Sequence, residues 1–185
     1  MSVVAISGNL SNPSRTSVLA ELAAAEIARA LSTDVQQVRI ADHGAALGGA
    51  LSLQQLPPAV LALYETVFAA PVLVIATPVY KASYTGLLKH FLDLIDPQRL
   101  QGKVVVLAAT GGSDHHALVI EHQLRPLLAF FGAYTVPTGL YVRDSDFEKD
   151  PETGTYRLVG TGALQRVASA AAQAIDLVQR PGAAA

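Results

Sequence analysis

Cysteine is absent from the 185 residues, which excludes a disulfide, a thiol nucleophile and a thiolate metal site. Charge is scarce as well: 13 Lys and Arg stand against 15 Asp and Glu, together 15% of the chain. So even a balance leaves no electrostatic footprint for nucleic acid, and no basic amphipathic run suggests a membrane surface. Long hydrophobic stretches are missing too, although 51% of the residues are apolar. The longest strongly apolar uncharged run, residues 66–80, is broken by Pro71 and Pro78 and is too short to span a bilayer. The N-terminus has no basic n-region and goes straight into a strand, so no signal peptide is expected and the cytoplasm is the expected compartment. The length suits one domain with a full core, expected over residues 1–180, with 181–185 a disordered tail.

What the chain does have is alternation of strand-like and helix-like stretches. Val3, Val4 and Ile6 carry no charge between them, as befits a strand buried on both faces of a parallel sheet. Leu19, Leu22, Ala23, Ile27, Ala30 and Leu31 recur at helical spacing and predict a first helix over 14–31. Val35, Val38 and Ile40 suggest a second strand, and the Gly/Ala-rich residues 42–52 read as a loop over the binding edge. A helix over 57–69 leads to the most strand-like run, 71–76, which is expected to stop at Thr77-Pro78 because proline cannot donate to a ladder. Leu87, Leu88, Phe91, Leu92 and Ile95 make the apolar face of a third helix, with Lys89 and Asp93 an exposed i,i+4 pair. Strand four is 103–109, helix four runs from about 115 to 131, and 134–142 holds strand five. Asp150-Pro151-Glu152-Thr153-Gly154 is a turn signal for a small hairpin between Phe147 and Tyr156, and a last helix carries Leu164, Val167, Ala171 and Ile175 on one face. Five alternations with short links predict a flavodoxin-like, doubly wound five-stranded parallel sheet, order 2-1-3-4-5, with helices on both faces.

Ligands of such sheets sit outside the carboxyl ends of the strands, so the loops after strands one, three and four become neighbours. Loop one, residues 7–17, has five Ser/Thr in eleven positions plus Arg15 ahead of a helix start. Free N–H groups, hydroxyls and a guanidinium fork would bind a phosphate monoester; the plainer reading is an ordinary N-cap. The loop has neither G-x-G-x-x-G nor G-x-x-x-x-G-K-[ST], which suits a mononucleotide such as FMN. Loop three offers Pro78, Val79, Tyr80 and Lys81, with Tyr84 beyond, to bracket a flat ring, unless the tyrosines only pack on helix three. Loop four, Thr110-Gly111-Gly112-Ser113, lets backbone approach a ligand closely and place N–H groups at a pyrimidine edge, although it is also an ordinary turn sequence. His115 and His116 are adjacent and lack a third ligand in reach, so no metal site is expected; His43 and His90 read as surface or edge residues.

Gly8 with Pro13-Ser14-Arg15-Thr16-Ser17, the run Ala76-Thr77-Pro78-Val79-Tyr80-Lys81, Gly86 with Leu88-Lys89, Leu100-Gln101-Gly102-Lys103 and Ala109-Thr110-Gly111-Gly112 together resemble the NADPH-dependent FMN reductases. The similarity is closest to the flavin reductases of two-component alkanesulfonate and methanesulfonate monooxygenase systems, covers the chain through Val142 and is weak beyond it. The resemblance implies that Ser7, Ser14, Arg15, Thr16 and Ser17 hold the FMN phosphate. It also implies that Pro78, Val79, Tyr80 and Lys81 flank the isoalloxazine, with Thr110, Gly111, Gly112 and Ser113 on the other side. One departure is Gly8-Asn9-Leu10-Ser11, where many relatives read Gly-Ser-Pro-Arg, so a second basic residue is missing.

Helix four contains Pro126, which lacks an N–H and clashes with the carbonyl of His122, inviting a π-bulge. The sulfonate-system reductases are similar in having such an insertion, commonly with a tyrosine near the flavin at a subunit interface; His122 at that position resembles the methanesulfonate branch. The plainer reading is a kinked helix with a solvated histidine. The function so implied is an NAD(P)H-dependent FMN reductase, using NADPH or NADH, that hands reduced FMN to a flavin-dependent monooxygenase. Its rivals are an electron-carrier flavodoxin and a quinone or azo reductase that keeps its FMN. Leu118 and Val119 fall off the core face of helix four, which predicts a homodimer or dimer of dimers meeting through helices three and four, unless a π-bulge turns them inward.

Overall fold

Three apolar runs without a charge make the centre of the sheet. In the computed structural model, which describes residues 2–180, they are β1 (Ser2–Ser7), β3 (Val72–Pro78) and β4 (Val104–Gly111), all parallel. The expected tail, 181–185, lies outside the described residues. β2 (Asp34–Arg39) pairs with the outer side of β1 and is mostly exposed, as an edge strand is. The order is β2-β1-β3-β4, and the fifth place beside β4 is filled by β5 (Tyr134–Thr135) and β6 (Leu140–Arg143). This is the flavodoxin-like arrangement read from the sequence.

The two faces of the sheet differ in grain. Val3, Ala5, Val72, Val74, Ala76, Val104, Val106 and Ala108 point to one side, where they meet α1 (Arg15–Leu31) and α6 (Thr161–Gln179). The buried residues of those helices are largely alanines: Ala20, Ala23, Ala24 and Ala28 on α1, and Ala163, Ala170, Ala171 and Ala174 on α6. Small residues facing small residues bring helix and sheet close together, and methyl-sized gaps are costly in such a layer. The opposite face carries Ile6, Leu73, Ile75 and Leu107 against α3 (Pro58–Ala69) and α4 (Gly86–Asp93). There Tyr64 stacks on Phe91 with ring centroids 4.4 Å apart, and its hydroxyl donates to the Phe91 carbonyl at 3.1 Å.

Several boundaries differ from the sequence reading, each for a local reason. Residues 42–52 are not an open loop: Ile40–His43 form a 3₁₀ turn and α2 (Gly44–Gly48) follows, anchored by buried Leu47. The Leu47 carbonyl lies 2.8 Å from His90 Nε2, so His90 is half-buried rather than a free surface residue. β3 runs through Pro78, because Val79 N donates to Thr110 O at 2.8 Å. Successive strand N–H groups alternate in side, so the N–H that Pro78 lacks falls toward β1, which has already ended.

Strand five is not continuous. Between the pairs Val105↔Thr135 and Ala108↔Leu140 the outer strand advances from 135 to 140 while β4 advances from 105 to 108. The extra length, around Pro137, leaves backbone groups outside the ladder, and side chains satisfy them. Arg125 Nη1 donates to Val136 O at 2.9 Å and Nη2 to Pro137 O at 3.2 Å, Thr138 N donates to Gln173 Oε1 at 2.9 Å, and Arg166 donates to Gly139 O at 2.5 Å.

Helix four begins as a separate 3₁₀ turn, Asp114–His116, and then carries the expected π segment, Ile120–Leu124, before α5 (Arg125–Phe130). Arg125 N donates to Ile120 O, five residues back. The added residue shifts the helical phase and turns Val119 into the core, while Leu118 stays 62% exposed. The hairpin is present: β7 (Phe147–Lys149) pairs antiparallel with β8 (Tyr156–Leu158). Among the described residues no helix is long and apolar enough to cross a membrane.

Candidate active site

At the carboxyl ends of β1, β3 and β4 the three loops close around one cleft of about 240 Å³. Asn9, Ser11, Pro13, Ser14, Arg15 and Thr16 come from loop one, Pro78, Val79 and Tyr80 from loop three, and Thr110, Gly111 and Gly112 from loop four. Asp144 and Tyr156 complete the lining from the segment that ends in the hairpin.

Loop one is fixed from beneath. Ser17 Oγ donates to Asn9 Oδ1 at 2.8 Å and lies 3.1 Å from Ser7 Oγ, all three residues being buried. Ser7 and Ser17 therefore brace the loop from behind and are not among the lining residues. Ser14 is the N-cap, its Oγ accepting from Ser17 N at 3.3 Å, and it also lines the cleft. The leading N–H groups of α1 have no acceptor within the helix, and Arg15 and Thr16 of that first turn face the cleft.

Two contacts set the spacing between loops. Thr16 Oγ1 and Thr110 Oγ1 are 2.7 Å apart and buried, which ties loop one to loop four. Thr85 Oγ1 donates to Gly8 O at 2.6 Å and caps α4 through Leu88 N, which ties loop one to loop three. Gly8 has to be glycine, since a Cβ there would lie 2.9 Å from Leu88 Cβ. Gly111 has to be glycine as well: its Cβ would collide with the Tyr141 hydroxyl, which crosses over to donate to Ser113 O at 2.5 Å. Burial, helped by the Asp114 and Asp144 carboxylates, pushes the Tyr141 phenol above its ordinary pKa, so it remains a donor. Ser113 takes no part in the lining; its Oγ accepts from His115 N.

Loop three divides the two tyrosines. Tyr84 packs against the core around α4, whereas Tyr80 is 45% exposed at the cleft. Tyr80 and Ser83 are joined by two backbone hydrogen bonds, Tyr80 N to Ser83 O at 2.9 Å and Ser83 N to Tyr80 O at 3.1 Å. Between them Lys81 and Ala82 both have left-handed φ, 50° and 65°, at a cost of about 1–2 kcal/mol each for L-residues. Gln123 of the π segment holds this turn, donating from Nε2 to Ala82 O at 2.9 Å and accepting from the Ser83 hydroxyl. Lys81 is exposed at the tip and does not line the cleft, and His122 is exposed on the π segment, outside the lining.

Arg15 is the cation of the cleft. Its guanidinium lies 4.3 Å from the Tyr156 ring centroid, and Nε is 3.9 Å from Asp144 Oδ1. That Nε is buried without a hydrogen-bond partner, and a buried N–H of this kind calls for an acceptor. An anion beside Arg15 and the first turn of α1 would supply one. The donor set fits the terminal phosphate of FMN, and the side-chain-free backbone at Gly112, where a Cβ would meet only Asp144 of the lining, fits the close approach of a ring edge. Asn9, Asp144 and Tyr156 were not singled out from the sequence; the asparagine two residues past β1 was the one local signal. Among the described residues no three potential metal-ligating side chains come together.

Comparison with known proteins bears on the family and the fold. The profile of the NADPH-dependent FMN reductase family matches residues 1–148. A Pseudomonas aeruginosa protein named FMN reductase (NADPH) is 43% identical over 175 residues, covering 95% of this chain and 91% of that one. A Pseudomonas fluorescens protein named NADH-dependent FMN reductase SfnF is 42% identical over 177 residues, covering 96% and 91%. Among solved structures, an oxidoreductase from Corynebacterium diphtheriae superposes with a TM-score of 0.83 at 33% identity, covering 98% of this chain and 99% of that one. Similarity on this scale, in sequence and backbone alike, makes the chain a member of the NADPH-dependent FMN reductase family.

Proposed function

We propose that the chain takes FMN into this cleft, phosphate toward Arg15, reduces it with NAD(P)H and releases it to a partner flavin-dependent monooxygenase of the sulfonate type. The buried, unpartnered Nε of Arg15 among the three loops is the observation that carries the reading. When bound, FMN supplies a ring that accepts a hydride equivalent from the nicotinamide; the chain supplies position. Arg15 and the first turn of α1 neutralise the phosphate, Thr110 to Gly112 present backbone to the ring edge, and Pro78, Val79 and Tyr80 make an apolar wall. Orientation of that kind accounts for most of the rate in a transfer that needs no dedicated acid or base.

A cleft of about 240 Å³ is smaller than the roughly 300–1,000 Å³ of sites that engulf a ligand. It suits the ribityl phosphate arm and leaves the ring face open to the nicotinamide, which favours a flavin that comes and goes. Purified protein is expected to be colourless, to quench FMN fluorescence on titration, and to oxidise NAD(P)H only when FMN is added. Protein that retains FMN through gel filtration and reduces quinones would overturn the release step; failure to bind FMN would overturn the whole reading. The exposed Phe130, which lines a groove with Lys89, Leu92 and Asp93 of α4, supports assembly through this side of the molecule, and light scattering at micromolar concentration tests it, a monomer refuting it. His122→Ala is expected to change flavin affinity or transfer and to leave stability as it was; unchanged kinetics would remove His122 from the proposal.

A further inference from the structure

The phosphate end of the cleft contains a carboxylate as well as a cation. Asp144 Oδ1 stands 3.9 Å from Arg15 Nε, near enough for charge to act and too far for a hydrogen bond. On its other side Asp144 Oδ2 lies 3.8 Å from where a Cβ on Gly112 would be, so the carboxylate spans the gap between loop one and loop four. The neighbouring acids are engaged elsewhere: Arg143 Nη1 donates to Asp114 Oδ2 at 3.3 Å, and Arg143 Nε lies 3.6 Å from Asp146 Oδ2. Arg15 itself is stacked on the ring of Tyr156, and its Nε makes no hydrogen bond to the acid. Guanidinium and carboxylate thus share the mouth of one anion site without closing on each other.

A phosphate monoester carries about −1.5 to −2 charges at neutral pH. To reach Arg15 it has to settle close to Asp144. We infer that Asp144 is an affinity-setting residue: a resident negative charge that weakens the hold of the site on the phosphate of FMN and so lets the flavin exchange, while Tyr156 keeps the guanidinium in place. This inference rests on the flavin reading above. It places part of the affinity control in the segment after β6, next to the hairpin strand β8; Asp144 falls within the residues matched by the family profile, whereas Tyr156 lies beyond them.

The test compares FMN with riboflavin, which lacks the phosphate. Dissociation constants for both are measured by flavin fluorescence on the wild type and on Asp144→Asn, at low and at moderate salt. Asp144→Asn keeps the shape and an oxygen facing Arg15. It is expected to bind FMN roughly five- to thirtyfold more tightly at low salt, to bind riboflavin within about twofold of the wild type, and to lose much of the difference as salt screens the pair. An FMN constant that is unchanged or weaker overturns the inference, because Asp144 would then be indifferent or would be orienting Arg15. Equal shifts for FMN and riboflavin overturn it too, since the phosphate would not be the group sensed. If neither protein binds FMN, the flavin reading itself fails, a result distinct from normal binding that ignores residue 144. Asp144→Ser, scored on the same FMN-to-riboflavin ratio, guards against an artefact of the amide.

Discussion

The hydroxyl pair beneath the cleft offers a sharp test of how the loops are held. Thr16 and Thr110 are 94 positions apart in sequence, 2% and 4% exposed, and share one hydrogen bond of 2.7 Å. Replacing either with valine keeps the outline of the side chain and leaves the other hydroxyl buried without this partner, at about 1–3 kcal/mol. Replacing both removes the bond and the orphan together, so the double variant should lose less than the two singles summed, with a coupling of about 1–2 kcal/mol. Urea unfolding of the flavin-free protein reads this directly. With an m-value of about 2 kcal/mol/M for a chain of this size, each single variant moves the midpoint down by about 0.5–1.5 M. Additivity within about 0.5 kcal/mol would refute the reasoning, because each hydroxyl would then have another partner and loop one would not be tied to loop four through them.

Other outcomes follow from the same geometry. Gly111→Ala drives a methyl group into the Tyr141 hydroxyl and should cost about 1–3 kcal/mol as overpacking does; adding Tyr141→Phe should restore most of it, and a loss unmoved by the second change would show the backbone to be at fault. Gln123→Ala frees the turn at Lys81 and Ala82, so limited trypsin digestion should cut after Lys81 faster than in the wild type; equal rates would mean that the glutamine does not hold the turn. Burial pushes the Tyr64 phenol well above its ordinary value, so the neutral form belongs to the folded state. The associated stability is complete below the unfolded pKa of about 10 and is lost as pH rises above it, since unfolding then releases a proton. Urea midpoints of the wild type should fall more steeply above that pH than those of Tyr64→Phe, and parallel curves would refute the assignment.

The sheet was legible because its evidence is local. Uninterrupted Val, Ile and Leu at 72–75 and 104–107 admit few alternatives to buried parallel strands. Pro126 announced the π segment by the same logic, since a missing N–H has a fixed address four residues back. Phase was harder. One added residue turned Val119 inward, although its spacing from Ile120 and Leu124 placed it off the core face of a regular helix. The break in strand five was written in Pro137 and Gly139 but masked by the β-formers on either side, and only Arg125, Arg166 and Gln173, from two helices, make it affordable. In the cleft, Ser14, Arg15, Pro78 and Gly111, each legible from its own loop sequence, line the same cavity. Asp144 and Tyr156 were not legible in this way, because nothing in a sequence window reports that a hairpin far along the chain folds back onto Arg15. For Ser7 and Ser17, which the family resemblance assigns to the phosphate, the structure shows hydroxyls bonded to each other and to Asn9 behind the lining, a placement that only the folded loop displays.

The alanine layer under α1 has a consequence for where variation is felt. With Ala20, Ala23, Ala24 and Ala28 pressed against valines and alanines of the sheet, the helix has almost no play, and its first turn, with Arg15, is a fixed jaw. Across the cleft Tyr80 rides on a four-residue turn held by a single glutamine, an adjustable jaw. Substitutions that enlarge an alanine two turns down α1 should therefore register as altered discrimination between phosphorylated and unphosphorylated flavin, at a distance from any atom the ligand touches. Changes around the turn should alter which ring-bearing partner is accepted.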